Sequence, residues 1–373
     1  MRILQVGKFY PIRGGVEKVM YDLTLGLSEM GVHCDMLCAS TEDHPEIDIQ
    51  LNPQASVFVI KTSLKLASTM LAPGMISRLR RIAPAYDIIH IHHPDPMAAL
   101  ALYLSGYKGK VVLHWHSDIL KQQKLLKIYK PLQNWVLRRV DRIVGTSPVY
   151  VQQSDFLVDY KHKLGYLPIG VLPVQAKSEL VNSIKDSYRD RKLIFALGRL
   201  VEYKGFEYLI QAARFLDDSY KIVIAGKGPL EGDLSALIKQ YGLEQKVELA
   251  GFLSDELAHA YFQASDAFVL SSVSKNEAFG IVQIEAMSCG TPVITADIPG
   301  SGVSWVNQHM QSGLVCKARD ANDLAQSILK LTAGDQGFYN DISRGAKERF
   351  DRCFHRDVMV EKTIALYRKM LEE

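Results

Sequence analysis

The chain has 373 residues, of which 47% are hydrophobic, 23% charged and 9% aromatic, a balance that excludes disorder and fibrous structure and a length that fits two domains. The net charge of +3 is small, but residues 51–142 hold 14 basic and 4 acidic side chains, so one stretch of the first half asks for an anionic partner. Apolar runs such as Ala98–Leu104 fall far short of the roughly 18 residues a membrane-spanning helix needs.

The opening run Met1–Gly7 reads as a short strand entering a polar loop rather than a basic leader with a long apolar core, so a cytoplasmic location is expected. From there, short β-branched runs alternate with amphipathic helical patterns, the signature of βαβ units and parallel sheets. The first series predicts strands at Arg2–Val6, His33–Ala39, Val57–Ile60, Ile88–His92, Val111–His114, Arg142–Thr146 and Gly165–Leu167, with a helix at Val16–Met30. The second predicts strands at Lys192–Ala196, Tyr220–Ala225, Val247–Ala250, Ala267–Leu270 and Pro292–Ala296, with a helix at Glu207–Phe215. Between them, Pro168–Pro173 carries two prolines and a glycine, and a polar stretch follows. The predicted organisation is a doubly wound domain at 1–172, a linker at 173–190, a second doubly wound domain at 191–355, and a helix at 356–373 that packs back on the first. Two such domains on one linker would place the carboxyl ends of both sheets around a shared cleft, where open α/β sheets bind ligands.

Five cysteines, at 34, 38, 289, 316 and 353, form an odd set without CxxC pairs or histidines at zinc spacing, so neither a disulfide framework nor a metal site is expected. Cys34 and Cys38 read as core packing in a buried strand.

The motifs fall in loops after strands. Gly14 and Gly15 open the first helix, where backbone N–H groups and the positive helix end can approach an anion; the spacing is neither a Walker A loop nor GxGxxG. In the second domain, Arg199 and Lys204 emerge after the strand Lys192–Ala196, a fork donor and a point charge suited to a diphosphate. Glu277 and Glu285 lie eight residues apart, the first in a glycine-containing loop, the second on an apolar helix where a carboxylate needs a hydrogen-bonding partner such as a ribose diol. The N–H groups of Phe279, Gly280 and Ile281 at that helix start form a second phosphate cradle.

Taken in order, Gly14-Gly15, Gly198-Arg199-Leu200 with Lys204-Gly205, Ala225–Pro229, Ala250–Leu253 and the Glu277 to Glu285 spacing resemble, over nearly the whole chain, the retaining GT-B glycosyltransferases of family 4 type, the group that includes bacterial mannosyl, rhamnosyl and N-acetylhexosaminyl transferases of surface polysaccharide assembly. The resemblance implies an α/β GT-B fold of two Rossmann-like domains facing a cleft. It implies transfer of a hexose-type sugar from a nucleotide diphosphate sugar to a glycan, lipid-linked acceptor in O-antigen, capsule or related synthesis. In that reading Glu277 contacts the donor sugar, Glu285 the ribose, Arg199 and Lys204 the diphosphate, and Gly15 the phosphates from the other domain. His116, in the run His114–Asp118, aligns with the family's histidine near the sugar hydroxyls and reacting carbon, with His114 as the competing choice. The implied mechanism needs no side-chain nucleophile, no cofactor and no metal, because basic side chains and helix ends stabilise the leaving diphosphate.

Lys121, Lys124, Lys127 and Lys130 recur every third residue among Leu125, Leu126, Ile128 and Tyr129, followed by Arg138 and Arg139. An amphipathic basic surface of this kind suits an anionic membrane face or a lipid-diphosphate acceptor, which would hold the protein peripherally on the inner face of the cell membrane. Arg78, Arg80 and Arg81 beside Leu66, Met70 and Met75 read the same way. Nucleic acid is disfavoured because no aromatic and basic binding motif accompanies the charge. The competing functions are a sugar-nucleotide epimerase or phosphorylase of similar architecture, and a non-catalytic two-lobed sugar-binding protein, which would leave Arg199 and Lys204 without work.

Overall fold

The computed structural model describes residues 1–41, 44–66, 69–120 and 123–373. Two compact units emerge: Met1–Val171 with Arg356–Glu373, and Leu172–His355.

The first unit is built on β1 (Arg2–Tyr10), β2 (His33–Ser40), β3 (Ile47–Asn52), β4 (Ala55–Ile60), β5 (Leu64–Leu66), β6 (Thr69–Leu71), β7 (Ile88–His93), β8 (Lys110–Trp115), β9 (Arg142–Gly145) and β10 (Leu164–Tyr166). Eight strands form one sheet in the order β10-β9-β8-β7-β1-β2-β4-β3, parallel except for β3 against β4, while β5 and β6 pair separately. The central strands are buried on both faces and read as near-continuous apolar runs, as parallel strands between helix layers must. The edge strand β3 is largely exposed, so it lacked the apolar signal that betrayed its neighbours.

The second unit holds β11 (Lys192–Leu197), β12 (Tyr220–Ala225), β13 (Val247–Gly251), β14 (Ala267–Leu270), β15 (Val293–Asp297) and β16 (Gly313–Lys317), all parallel. Their order, β13-β12-β11-β14-β15-β16, is the 3-2-1-4-5-6 arrangement of a Rossmann sheet. The chain reverses direction across the sheet between β11 and β14, and ligands of such folds bind beyond the carboxyl ends of those two strands.

Residues 173–190 are not an open linker. Ser178–Ser187 is a helix of the second unit that buries Val181 and Ile184 and packs on the helix Asp255–Ala264. Its polar sequence hid a one-face apolar pattern, which is all a surface helix requires. The change of unit falls at Val171/Leu172.

The closing helix Arg356–Glu372 buries Met359, Val360, Thr363, Tyr367 and Met370 in the first unit. It lies against the helix Gly15–Glu29, so closely that a Cβ on Gly26 would stand 2.5 Å from Cγ2 of Val360. Arg356 also bonds to Glu29 and donates its backbone N–H to the Val171 carbonyl. All five cysteines are unpaired, with Cys34 and Cys38 buried in β2. Burial raises both thiols, that of Cys34 to about 12, so they are packing groups rather than nucleophiles.

Candidate functional site

In the second unit the loops after β11 and β14 meet where the Rossmann order reverses. Gly205 takes φ +64°, and a side chain there would drive a Cβ to 2.3 Å from the Ser271 carbonyl, so only glycine lets the loops touch. Ser271 donates its hydroxyl to the Lys204 carbonyl at 2.9 Å, and the Val273 N–H reaches the Tyr203 carbonyl at 2.8 Å. This contact brings two sequence-predicted residues together: Nζ of Lys204 lies 2.6 Å from Oε2 of Glu277, both side chains 11% exposed. The same carboxylate oxygen accepts the Ser272 hydroxyl at 2.9 Å. Burial works against the Lys204 ammonium, but the Glu277 charge, Tyr203 and the hydrogen bond outweigh it and hold its pKa above the ordinary value.

Arg199 follows β11, is exposed, and makes no side-chain hydrogen bond or ion pair among the described residues. A guanidinium standing clear of the fold at the end of a central strand is available for an anion. Glu285 is half-buried on the helix Ile281–Ser288. Gly280 caps that helix at φ +76°, and Phe279 is buried with its ring edge-on to Phe354 at 5.8 Å. The turn starts the helix directly after the loop that carries Glu277, and the first N–H groups of a helix lack intrahelical partners.

In the first unit Gly15 begins the helix after β1, at φ +59°. His116 lies just beyond β8, buried, with Nε2 2.9 Å from Nδ1 of His92. His114 lies deeper in the strand and stacks on His116 at 4.0 Å, with neither ring nitrogen hydrogen-bonded. Of the two, His116 holds the strand-end position, where function in such sheets concentrates. Burial lowers the pKa of both, to about 3 for His114, so the rings are neutral.

Several residues escaped the sequence reading. The Lys8 N–H donates to Oδ2 of Asp95 at 2.5 Å and its ammonium to the Pro94 carbonyl at 2.6 Å, while Asp95 caps the helix Pro96–Ser105 through Ala98. Burial lowers the Lys8 pKa and raises that of Asp95, each opposed by the other's charge. They line, with Glu17, Met70, Met75 and Met97, a cavity of about 220 Å³. The capping pair Asp95-Pro96 was the available signal. His90 and His92 also went unremarked, although β7 and β8 pair with His92 opposite His114.

The basic face is smaller than expected. Lys121 lies outside the described residues. Lys124, Lys127, Lys130 and Arg138 are exposed, with Leu125 and the 80%-exposed Ile128 among the lysines. Arg139 does not belong to it: its guanidinium donates to the Tyr107 and Gly109 carbonyls and pairs with Asp141. Arg78 is likewise committed to Asp48 and the Phe58 ring, and Arg80 to the Leu104 carbonyl. Carbonyls left open at helix and strand ends recruit such side chains, and the chain's charge pattern does not reveal which. Among the described residues, no helix is long and apolar enough to cross a membrane.

Residues 13–155 match the family described as Glycosyltransferase Family 4, and residues 179–349 match Glycosyl transferases group 1. The chain is 33% identical to O-antigen chain mannosyltransferase C of Escherichia coli over 100% of this chain and 99% of that one. It is 32% identical to D-rhamnosyltransferase WbpZ of Pseudomonas aeruginosa, covering 95% and 92%. Anabaena Alr3699/HepE, solved in complex with UDP, shares the fold with a TM-score of 0.78 at 20% identity, over 99% of this chain and 100% of that one. The two Rossmann-like units and these full-length relationships identify the chain as a member of the group 1 and family 4 glycosyltransferases, of GT-B fold.

Proposed function

We propose that the protein transfers a hexose-type sugar, of the mannose, rhamnose or N-acetylhexosamine class, from a nucleotide diphosphate sugar to a lipid-linked glycan acceptor in surface polysaccharide synthesis, with retention of configuration and without a metal ion. The observation that carries this reading is the pairing of Lys204 with Glu277 at the Rossmann switch point, just before the helix that bears Glu285, with Arg199 exposed on the loop that carries Lys204. The activities named for the O-antigen mannosyltransferase and the rhamnosyltransferase support the sugar and polymer class, and the UDP complex of the Anabaena protein supports a nucleotide donor.

In this mechanism Glu285 holds the ribose, and Arg199, Lys204 and the N–H groups of Phe279, Gly280 and Ile281 take the diphosphate, with Gly15 adding a backbone donor. Glu277 accepts hydrogen bonds from the sugar hydroxyls, and His116 meets the sugar near the reacting carbon. Negative charge grows on the diphosphate as the bond to the sugar breaks, and fixed positive groups stabilise it most at that moment. The departing phosphate takes the acceptor's proton on the face it leaves, so configuration is kept and no side chain is alkylated.

The Lys8, Glu17 and Asp95 cavity suits an acceptor hydroxyl group set between polar side chains. The exposed lysines with Leu125 and Ile128 suit the inner face of the cell membrane, where a lipid-linked acceptor resides. Incubating the protein with a panel of nucleotide sugars and a lipid-linked glycan acceptor in EDTA, and reading the anomeric configuration of the product by NMR, tests the proposal. An inverted product, or transfer only after added Mg²⁺ or Mn²⁺, contradicts it.

A further inference from the structure

The face of the first unit's sheet that carries His116 also carries a continuous run of polar side chains reaching both ends of the polypeptide. Tyr367, on the closing helix, has its hydroxyl 2.5 Å from Nδ1 of His90 and 3.2 Å from Nε2 of Gln5. Oε1 of Gln5 lies 2.8 Å from Nε2 of His92, and Nδ1 of His92 lies 2.9 Å from Nε2 of His116. Every member is buried. Burial holds His90, His92 and His116 in their neutral forms, and a neutral imidazole has one donor and one acceptor nitrogen.

A chain of such groups must run in one direction. In the structure the Gln5 amide takes one of the two directions: Nε2 points to the Tyr367 oxygen and to Cys34 Sγ at 3.9 Å, and Oε1 points to His92. His92 therefore carries its proton on Nε2 and accepts at Nδ1. His116 must then donate from Nε2, and its Nδ1, buried and without a partner, is a lone pair. At the far end the Tyr367 hydroxyl donates to His90. The His114 ring, stacked on His116 at 4.0 Å and 13°, holds the plane of the imidazole.

We propose that Tyr367, Gln5 and His92 are positioning residues that fix His116 as the Nε2–H tautomer, so that its Nδ1 is the acceptor a substrate hydroxyl meets once binding uncovers it. This rests on the reading that His116 meets substrate. The closing helix then has a chemical role as well as a packing one, since it supplies the hydroxyl that orients the whole run. Turned over, every bond in the run could still form, and His116 would present an N–H instead; the Gln5 amide and the Tyr367 hydroxyl together select between the two states.

The test is the tautomer of His116 in ¹⁵N-histidine-labelled full-length protein, read from two-bond proton–nitrogen correlations and assigned by loss of its signals in His116→Gln. The expected pattern in the wild type is Nε2–H. Tyr367→Phe removes the orienting hydroxyl at nearly constant volume. It is expected to mix the tautomers and to lower kcat about tenfold with the donor KM within about twofold, since one misdirected hydrogen bond in the transition state costs about a factor of ten. A wild-type Nδ1–H pattern overturns the proposal, as does a Tyr367→Phe protein with unchanged tautomer and kcat. Stoichiometric metal held by His90, His92 and His114, whose ring nitrogens lie within 4.8 Å of one another, also overturns it, because coordination would disrupt the His92 bonds. The wild-type measurement stands even if the variant fails to fold. Full activity of His116→Ala would instead remove the underlying reading and leave the tautomer result intact.

Discussion

Lys204 and Glu277 stand 73 residues apart in the chain, yet their charged groups lie 2.6 Å apart at the junction of two strand-end loops. Removing one member leaves the other buried without its counter-charge, which costs about 3–5 kcal/mol in buried pairs. Lys204→Met is expected to lower the urea midpoint by about that equivalent and to abolish most donor binding, and adding Glu277→Gln should recover much of the stability and none of the binding. Equal midpoints for Lys204→Met and wild type would show that the pair does not hold the loops. Because the Lys204 pKa is raised, its stabilising contribution is complete below the ordinary lysine value and is lost only as pH rises through the folded value.

The buried histidines make the first unit acid-sensitive. His90, His92, His93, His114 and His116 all have pKa values lowered first by burial. An unfolded histidine binds a proton below about 6.5 while the folded one does not, so stability falls as pH drops below that point, by up to about 1.4 kcal/mol per pH unit for each ring. For His114 the fall continues to its folded value of about 3. Urea titrations between pH 7.5 and 5.5 should show this slope, and His114→Phe, which replaces a stacked ring with no hydrogen bonds, should reduce it by one proton's worth. A flat profile would place charged histidines in the folded state.

Gly26 is the contact point between the first and last helices of the first unit. With a Cβ directed 2.5 Å from Val360 Cγ2, Gly26→Ala is expected to destabilise by about 1–3 kcal/mol through overpacking. Val360→Ala in the same chain should return part of that loss. Additive destabilisation of the two variants in calorimetry would show that the helices do not meet there.

The basic face around Ile128 is expected to bind vesicles containing anionic lipid more strongly than neutral ones, at about 1 kcal/mol per lysine near the surface. Replacing Lys124, Lys127 and Lys130 by Glu should release the protein and leave nucleotide binding unchanged. Sedimentation of the triple variant with anionic vesicles at the wild-type level would reduce these lysines to solvated helix charges.

Much of the second unit was legible because its strands are short apolar runs whose ends carry the motifs; Tyr220–Ala225 and Ala267–Leu270 read directly, and Arg199, Lys204 and Glu277 follow strands as expected. That Lys204 pairs with Glu277 was not legible, since it depends on β14 lying beside β11 in space. The histidine run was hidden for the same reason: His92 and His116 become neighbours only through the parallel pairing of β7 with β8, and Gln5 and Tyr367 come from opposite ends of the chain. Which positive charges stay exposed was not legible either, because a guanidinium such as that of Arg139 can be consumed by two loop carbonyls without any trace in composition.

Arg199 gives the most direct test of the donor site, because it is exposed and no side-chain hydrogen bond or ion pair ties its guanidinium to the fold among the described residues. Calorimetric titration of nucleoside diphosphates into wild type and Arg199→Ala, both in EDTA, isolates its part. Nucleoside diphosphate is expected to bind the wild type without metal and to bind the variant at least about tenfold more weakly, as loss of one charge-assisted contact worth about 1.5–3 kcal/mol requires. Equal affinities in the two proteins, or no binding to the wild type until a divalent cation is added, would contradict it.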